Sequence, residues 1–303
     1  MKRFLLWSLA SVLTLTGFTQ NAKNENSLLW RVSGNGLTNP SYLFGTIHII
    51  CADDIQLGDS LQSAIRRADK VYLELDMDNL FEMMSVMTKM KMNGDTTLAD
   101  LLTPAEYQTV KAHFNKQKGV LPFSMLETFK PMLSASTLMQ GDLDCENAQA
   151  MEQLVMKEAK YHSKKVKGLE TMSFQMSIFD SIPYTVQAKQ LLQYVQNYGN
   201  NKEQNDFNEM MNAYRNQELS KLEAITKKDD SGMEQFTQIL LYNRNIDWVE
   251  KLQGMMPTQS LVVAVGAGHL PGSMGVINLL RLKGYKVDPV KNNMIKSTNL
   301  KEM

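Results

Sequence analysis

Histidine is scarce in this sequence, at four in 303 residues, and cysteine is scarcer, at two. Net charge is absent, since 32 basic groups balance 32 acidic ones. Internal repeats are missing, and no linker clearly divides the chain. Long apolar runs are missing too, apart from residues 4–18. Each shortage excludes something. A balanced chain carries no electrostatic footprint for nucleic acid or anionic lipid. With no second apolar run, no membrane span is expected beyond the start, because a span needs about 20 apolar residues. Two cysteines, neither in a close-spaced pair, do not build a zinc site by themselves.

What is present begins with a leader. Lys2 and Arg3 precede the apolar stretch 4–18, which Ser8, Ser11, Thr14 and Thr16 interrupt, and a polar segment follows. This is the pattern of a secretory signal peptide. No cysteine follows it, which argues against a lipoprotein anchor. We assign residues 1–20 to the signal and expect an extracytoplasmic protein, periplasmic or secreted. Losing Lys2 and Arg3 leaves 30 basic against 32 acidic groups, a net charge of −2. Residues 21–303 are long enough to bury a real core, and we read them as a single domain. In an oxidising compartment, Cys51 and Cys145 are either two separate buried thiols or a disulfide, and the even count favours the bridge.

Strand-like segments cluster at the two ends. "LLWRVSG" (28–34) and "SYLFGTIHI" (41–49) are joined by "NGLTNP", whose Asn-Gly and Asn-Pro predict a hairpin turn. "KVYLELD" (70–76) follows an amphipathic helix with Asp59 or Ser60 near its start, and "KKVKGLE" (164–170) follows a second helix. "SLVVAVGAGH" (260–269) precedes the helix "MGVINLLRLKG", and "YKVDPV" closes the pattern. Strand–helix–strand alternation implies parallel pairs covered by helices, and the opening hairpin makes the sheet mixed. The predicted fold is therefore α/β: a mixed central sheet with an N-terminal hairpin, flanked by helices.

Between these pieces lies a large Met-rich helical insertion, with residues of about 80–160 and 172–255 mostly helical. Met83, Met84, Met87 and Met90 share one helical face, which reads as core packing, although a copper- or peptide-binding surface has the same spacing. Thr103, Pro104 and Glu106 carry a helix-start signature. Residues 197–206 and 226–232 read as polar loops, and 291–303 as a frayed, flexible tail.

The chemistry-bearing residues emerge when the strand ends are compared. In open sheets with parallel strands, ligands gather at the carboxyl ends of the strands. Here those ends carry His48, Glu74, Glu170 and His269. Two of the four histidines sit in a Gly-x-x-His context, each closing an apolar run. Gly45, Gly266 and Gly268 are expected to leave room beside the imidazoles for a metal, a water or a substrate carbonyl. Two His and one or two Glu match a catalytic divalent metal with an open position. They equally match a metal-free His–Glu acid–base pair, and the residue types do not separate the two. Arg244, on a predicted helix, could stabilise an oxyanion, hold a substrate carboxylate or pair with a buried Glu, and Trp248 would pack or cover one turn away. His113 and His162 lie among lysines and read as solvated.

These residues resemble the TraB/PrgY/GumN family, which includes the Tiki proteins. The resemblance spans nearly all of the mature chain and rests on "YLFGTIHI", "VYLELD", "KKVKGLET" with Gln175, "RNIDW" and "VVAVGAGHLPGSMGVINLLRLKGYKV". Tiki proteins are described as divalent-metal-dependent peptidases whose site is the paired Gly-x-x-His motifs and glutamates. Carried over, the resemblance points to His48, His269, Glu74, Glu170 and Arg244. Our reading makes His48, His269 and Glu74 the metal ligands, Glu170, expected in a freer position after Gly168, the base, and Arg244 the group that steadies the oxyanion. Manganese, cobalt and zinc are the candidate metals. Family members commonly have Asp where Glu152 stands, one methylene longer here. The expected function is an exported metal-dependent hydrolase, acting most naturally on a peptide or protein substrate. Two alternatives stand beside it: a non-catalytic protein that sequesters a peptide or metal, and a metal-free His/Glu esterase-like hydrolase.

Overall fold

The computed structural model describes residues 26–295 except 53–54, 78–85, 118–120, 142–144, 146, 200 and 228–233. The predicted signal segment, Met83 and Met84, and residues 296–303 lie outside the described residues.

Six strands form one mixed sheet. They are β1 (Leu29–Ser33), β2 (Ser41–Thr46), β4 (Lys70–Leu75), β6 (Lys165–Glu170), β7 (Leu261–Gly266) and β8 (Lys286–Val290), in the order β6-β4-β7-β2-β1-β8. β2, β7, β4 and β6 run parallel to one another, while β1 pairs antiparallel with β2 and β8. β7 lies inside the sheet, and Leu261 to Val265 are all buried. A continuous apolar run is what a strand covered on both faces requires. At β1–β2, Asn35 adopts a positive φ of 46° between Gly34 and Gly36 at 77° and 78°, so the Asn-Gly signal marks the turn. A second, two-stranded ladder joins β3 (Ile50–Cys51) to β5 (Ala148–Gln149), and Cys51 is bonded to Cys145.

Helices bury their apolar faces on this sheet. Leu61, Ala64 and Ile65 of α1 (Asp59–Arg67) join its core, as do the buried residues of the helices Met151–Tyr161, Asn243–Met255 and Val276–Leu282. The insertion builds a separate core. Val110 and Phe114 of Pro104–Lys116 meet Leu138 of Pro131–Gly141 and Leu191 of Tyr184–Asn197, with Phe123, Leu126 and Phe129 between them. At the head of Pro104–Lys116, Thr103 and Glu106 form a reciprocal capping box.

Several expectations need correction. Residues 201–206 are helical, forming the start of Asn201–Arg215. Polar composition alone does not distinguish a solvated first helical turn from a loop. The tail is not frayed at 291–295: Asn292 and Met294 are buried, and Leu61 N donates to Asn292 Oδ1. Met87 is exposed, whereas Met90 packs on the second core, so the methionine face is only partly a packing face. His113 and His162 are half-buried: His113 packs edge-on against Tyr198, and His162 faces Glu158 at 3.1 Å.

Candidate active site

The carboxyl ends of β2, β4, β6 and β7 share one edge of the sheet because the four strands are parallel. His48 stands two residues past β2, Glu74 near the end of β4, Glu170 at the last position of β6, and His269 in the short turn Ala267–His269 after β7. The helix Asn243–Met255, which we call α9, lies across this edge and supplies Arg244, Asn245 and Trp248 from a single turn. One π-helical turn, Gln238–Tyr242, leads directly into it. Such irregular turns recur at functional sites.

Arg244 is the centre of the cluster. Its Nη2 donates to Glu74 Oε2 at 2.6 Å and to Glu170 Oε2 at 2.9 Å, and its Nε donates to Glu170 Oε1 at 3.0 Å. Trp248 Nε1 donates to Glu170 Oε1 at 2.8 Å. Gln175 Nε2 donates to both carboxylates, at 3.1 Å each. Glu170 is thus buried, with a side chain 1% exposed, and both its oxygens are taken. The freer position expected for this group is overturned: the residue closes β6 beneath α9, where three donors converge on it. Of the three readings of Arg244, the contacts seen here are those of a partner of buried glutamates.

Glu74 also accepts from the Gly266 N–H, through Oε1 at 2.8 Å, and that oxygen lies 3.8 Å from His269 Nε2. Burial alone would push the Glu74 carboxyl up. His269, the Arg244 guanidinium and the Gly266 N–H outweigh it and hold the group well below its ordinary range. Burial instead lowers His269 to about 4, so the ring is neutral at pH 7. Its Nδ1 meets Asn245 Oδ1 at 2.6 Å, and its Nε2 faces Arg244 Nη1 at 3.2 Å. The Trp248 ring packs 4.4 Å from the imidazole.

His48 differs. Its ring is three-quarters exposed, with Nδ1 2.8 Å from Glu152 Oε1. Glu152 is the second residue of the helix Met151–Tyr161, whose first N–H, that of Met151, donates to the Ile47 carbonyl, and the β3–β5 ladder fixes the same two segments together. The Glu152 hydrogen bond holds His48 above the usual imidazole range. Thr46 Oγ1 donates to the same Glu152 oxygen at 2.6 Å, while Glu152 Oε2 is buried without a partner among the described residues.

The three glycines divide. A Cβ on Gly266 would lie 3.2 Å from Glu74 Oε1 and 3.6 Å from His269 Cδ2, so this glycine keeps the space between carboxylate and imidazole open. A Cβ on Gly45 would meet Leu270, Leu28 and Ala267 at 3.1–3.2 Å, which means its missing side chain serves packing rather than a ligand. Gly268 has nothing within 4 Å.

Among the described residues, no three of His, Cys, Asp and Glu stand close enough together to hold a metal as they are. The donor chemistry nonetheless fits a divalent cation. Both imidazoles have one ring nitrogen held by an oxygen, the support that metal-ligating histidines use. The space that Gly266 leaves between Glu74 and His269 is where such a cation would sit.

Sequence reading missed Asn245, Thr46 and the bridging role of Gln175. Asn245 and Gln175 lie inside segments it had singled out, but a carboxamide carries no chemical signal until its partners are known. A cleft of about 340 Å³, lined in part by Trp30, Leu270, Pro271 and Ser273, flanks the turn after His269.

A mixed sheet whose parallel strands bring Glu74, Glu170 and His269 under one arginine, with His48 paired to Glu152 past the end of β2, defines a class. The chain belongs to the TraB/PrgY/gumN family, which it matches over residues 28–289. It is 23% identical to the protein named metalloprotease TIKI2 of Danio rerio, covering 92% of this chain and 64% of that relative. It is 22% identical to the metalloprotease TIKI homolog of Nematostella vectensis, covering 96% and 76% respectively. The protein named metalloprotease TIKI1 of Homo sapiens is 23% identical, over 87% of this chain and 62% of its own length. The chain thus spans 62–76% of the length of these relatives. No solved structure matches it.

Proposed function

We propose that this protein is an exported, metal-dependent hydrolase acting on peptide bonds. The observation that carries the reading is the pairing of His269 Nε2 with Glu74 Oε1 at 3.8 Å across the space kept open by Gly266. His269 and Glu74 are the proposed donors to the cation, with His48, backed by Glu152, as the third. A divalent metal bound there would polarise a carbonyl and lower the pKa of a bound water towards about 7. Arg244, held by Glu170 and Glu74, offers a fixed positive charge to the oxyanion that develops on the substrate carbonyl. Glu170 is engaged on both oxygens, so the base role expected for it passes to another carboxylate. Glu152 is our choice, because its Oε2 has unused acceptor capacity beside His48. The names of the relatives support the metalloprotease class. Export rests on the leader pattern of residues 1–20, and among the described residues no helix is long and apolar enough to cross a membrane.

The test is calorimetric titration with zinc and manganese, followed by turnover on a peptide library with and without chelator. Stoichiometric binding, turnover abolished by chelation, and loss of both in His269→Ala are the expected results. Binding without turnover would assign a sequestering protein. Turnover that survives chelation would assign metal-free hydrolysis by the pair of exposed His48 and buried Glu152, the arrangement that favours this second reading.

A further inference from the structure

The chemistry proposed above depends on which nitrogen of His269 carries the proton. A neutral imidazole has one N–H and one lone pair, and its neighbours decide their arrangement. On one side lies the Asn245 carboxamide, fully buried. Its Nδ2 donates to the Met274 carbonyl at 2.8 Å and to the His269 carbonyl at 3.4 Å. Those two acceptors fix the amide's orientation, and its Oδ1, 2.6 Å from His269 Nδ1, has no proton to give. On the other side lies the Glu74 carboxylate, with Oε1 3.8 Å from Nε2. This is a competing acceptor, and it would draw the proton to the nitrogen that has to carry the lone pair. We propose that Asn245 is the positioning residue that decides this competition: by accepting the Nδ1–H, it keeps the His269 Nε2 lone pair turned towards Glu74 and Arg244.

Two further features sharpen the assignment. Asn245 adjoins Arg244 and stands one turn before Trp248, whose ring packs 4.4 Å from the imidazole, so α9 fixes the ring's plane as well as its tautomer. The amide also clasps the 269–274 turn through both of its carbonyl partners, which ties the imidazole to its own backbone. Arg244 Nη1, 3.2 Å from Nε2, can donate only to a lone pair, which agrees with the same tautomer.

The tautomer part of this inference needs no metal, whereas its consequence for affinity rests on the metal-dependent reading. The test is a long-range ¹H–¹⁵N spectrum of the ¹⁵N-labelled protein at pH 7 in the presence of chelator, with the His269 signals assigned by their loss in His269→Gln. The wild type is expected to show a protonated Nδ1 and a bare Nε2. A wild-type spectrum with the proton on Nε2 would overturn the proposal without any variant. Asn245→Ala is expected to shift the proton towards Nε2 and to weaken zinc binding about 10–100-fold, the usual cost of losing such an orienting group. Asn245→Ser serves if the alanine variant does not fold. A folded variant that kept the Nδ1–H tautomer, or that bound zinc as the wild type does, would also overturn it. If the wild type bound no zinc at all, the metal reading would fall, and the spectra alone would decide the role of Asn245.

Discussion

At the scale of single residues, two buried glutamates carry opposite burdens. Glu170 shares its oxygens among Arg244, Trp248 and Gln175, and among the described residues Glu74 is the second counter-charge of Arg244. Removing one partner of a buried ion pair leaves an uncompensated charge, at a cost of about 3–5 kcal/mol. Because Arg244 keeps Glu74, Glu170→Gln is expected at the lower end, about 3 kcal/mol, read as a lowered midpoint in urea. Glu152→Gln is a milder change, since the amide oxygen can still accept from Thr46 and His48, and the exposed His48 ring leaves no buried charge uncompensated. It is expected to fold normally and, if Glu152 is the base, to lose about 10²–10⁴ in kcat. Normal turnover in folded Glu152→Gln would return the base role to another group. The glycines give a sharper pair. Gly266→Ala thrusts a methyl to 3.2 Å from Glu74 Oε1 and is expected to weaken zinc binding and turnover together. Gly268→Ala enters open space and is expected to change neither, so equal effects in the two variants would count against a cation site between Glu74 and His269.

At the scale of elements, what sequence could show is periodicity and strand ends; what it could not show is the contents of the space between elements. The four parallel strands were legible because continuous apolar runs such as 261–265 have one stable environment, and the carboxyl-end rule then aligned His48, Glu74, Glu170 and His269. The contribution of α9 was half legible. Arg244 and Trp248 stand out by type, but Asn245 acts through a buried contact 24 positions away and leaves no pattern. The reading of Glu170 as free failed for the same reason, because three donors from other elements fill its surroundings. The capping box of Pro104–Lys116 was fully legible, and its behaviour with pH follows. The Lys189 ammonium and the Thr103 N–H and hydroxyl hold Glu106 at about 2. A carboxyl depressed from 4.5 in this way stabilises the fold above its unfolded pKa, and that contribution fades as pH falls through about 2. NMR titration of Glu106 is expected to show the low midpoint, and Lys189→Met to move it up towards the ordinary carboxylate range. Thr103→Ala should cost about 1 kcal/mol of stability at neutral pH. An unmoved Glu106 midpoint in Lys189→Met would show that Lys189 has no part in the cap.

At the scale of the whole molecule, the segment that carries His48 is fastened to a part of the chain far away in sequence. The loop after β2 leaves the sheet at Thr46, presents His48 to solvent, and is then fastened at Ile50–Cys51 to the strand just before the helix that holds Glu152. The Cys51–Cys145 bond closes this fastening across 94 positions, a span that takes in β4 and the helices Pro104–Lys116 and Pro131–Gly141. The bond therefore has two separable consequences. Closing so long a loop restricts the unfolded chain, and the chain-entropy relation gives about 4–5 kcal/mol when the bond adds no strain. Locally, the backbone bonds of Met151 N to Ile47 O and Ala52 N to Asn147 O already hold His48 beside Glu152, so the site need not come apart when the disulfide does. The expected outcome for Cys51→Ser/Cys145→Ser is a large fall in the denaturant midpoint with the His48–Glu152 contact retained, seen as an unshifted His48 ring signal under native conditions. Intact mass of the protein recovered from the exporting compartment is expected to be two hydrogens below that of the reduced chain. Two free thiols there would remove the bond from the account. A double variant as stable as the wild type would show instead that the β3–β5 ladder and the packing around it are sufficient to hold the insertion to the sheet.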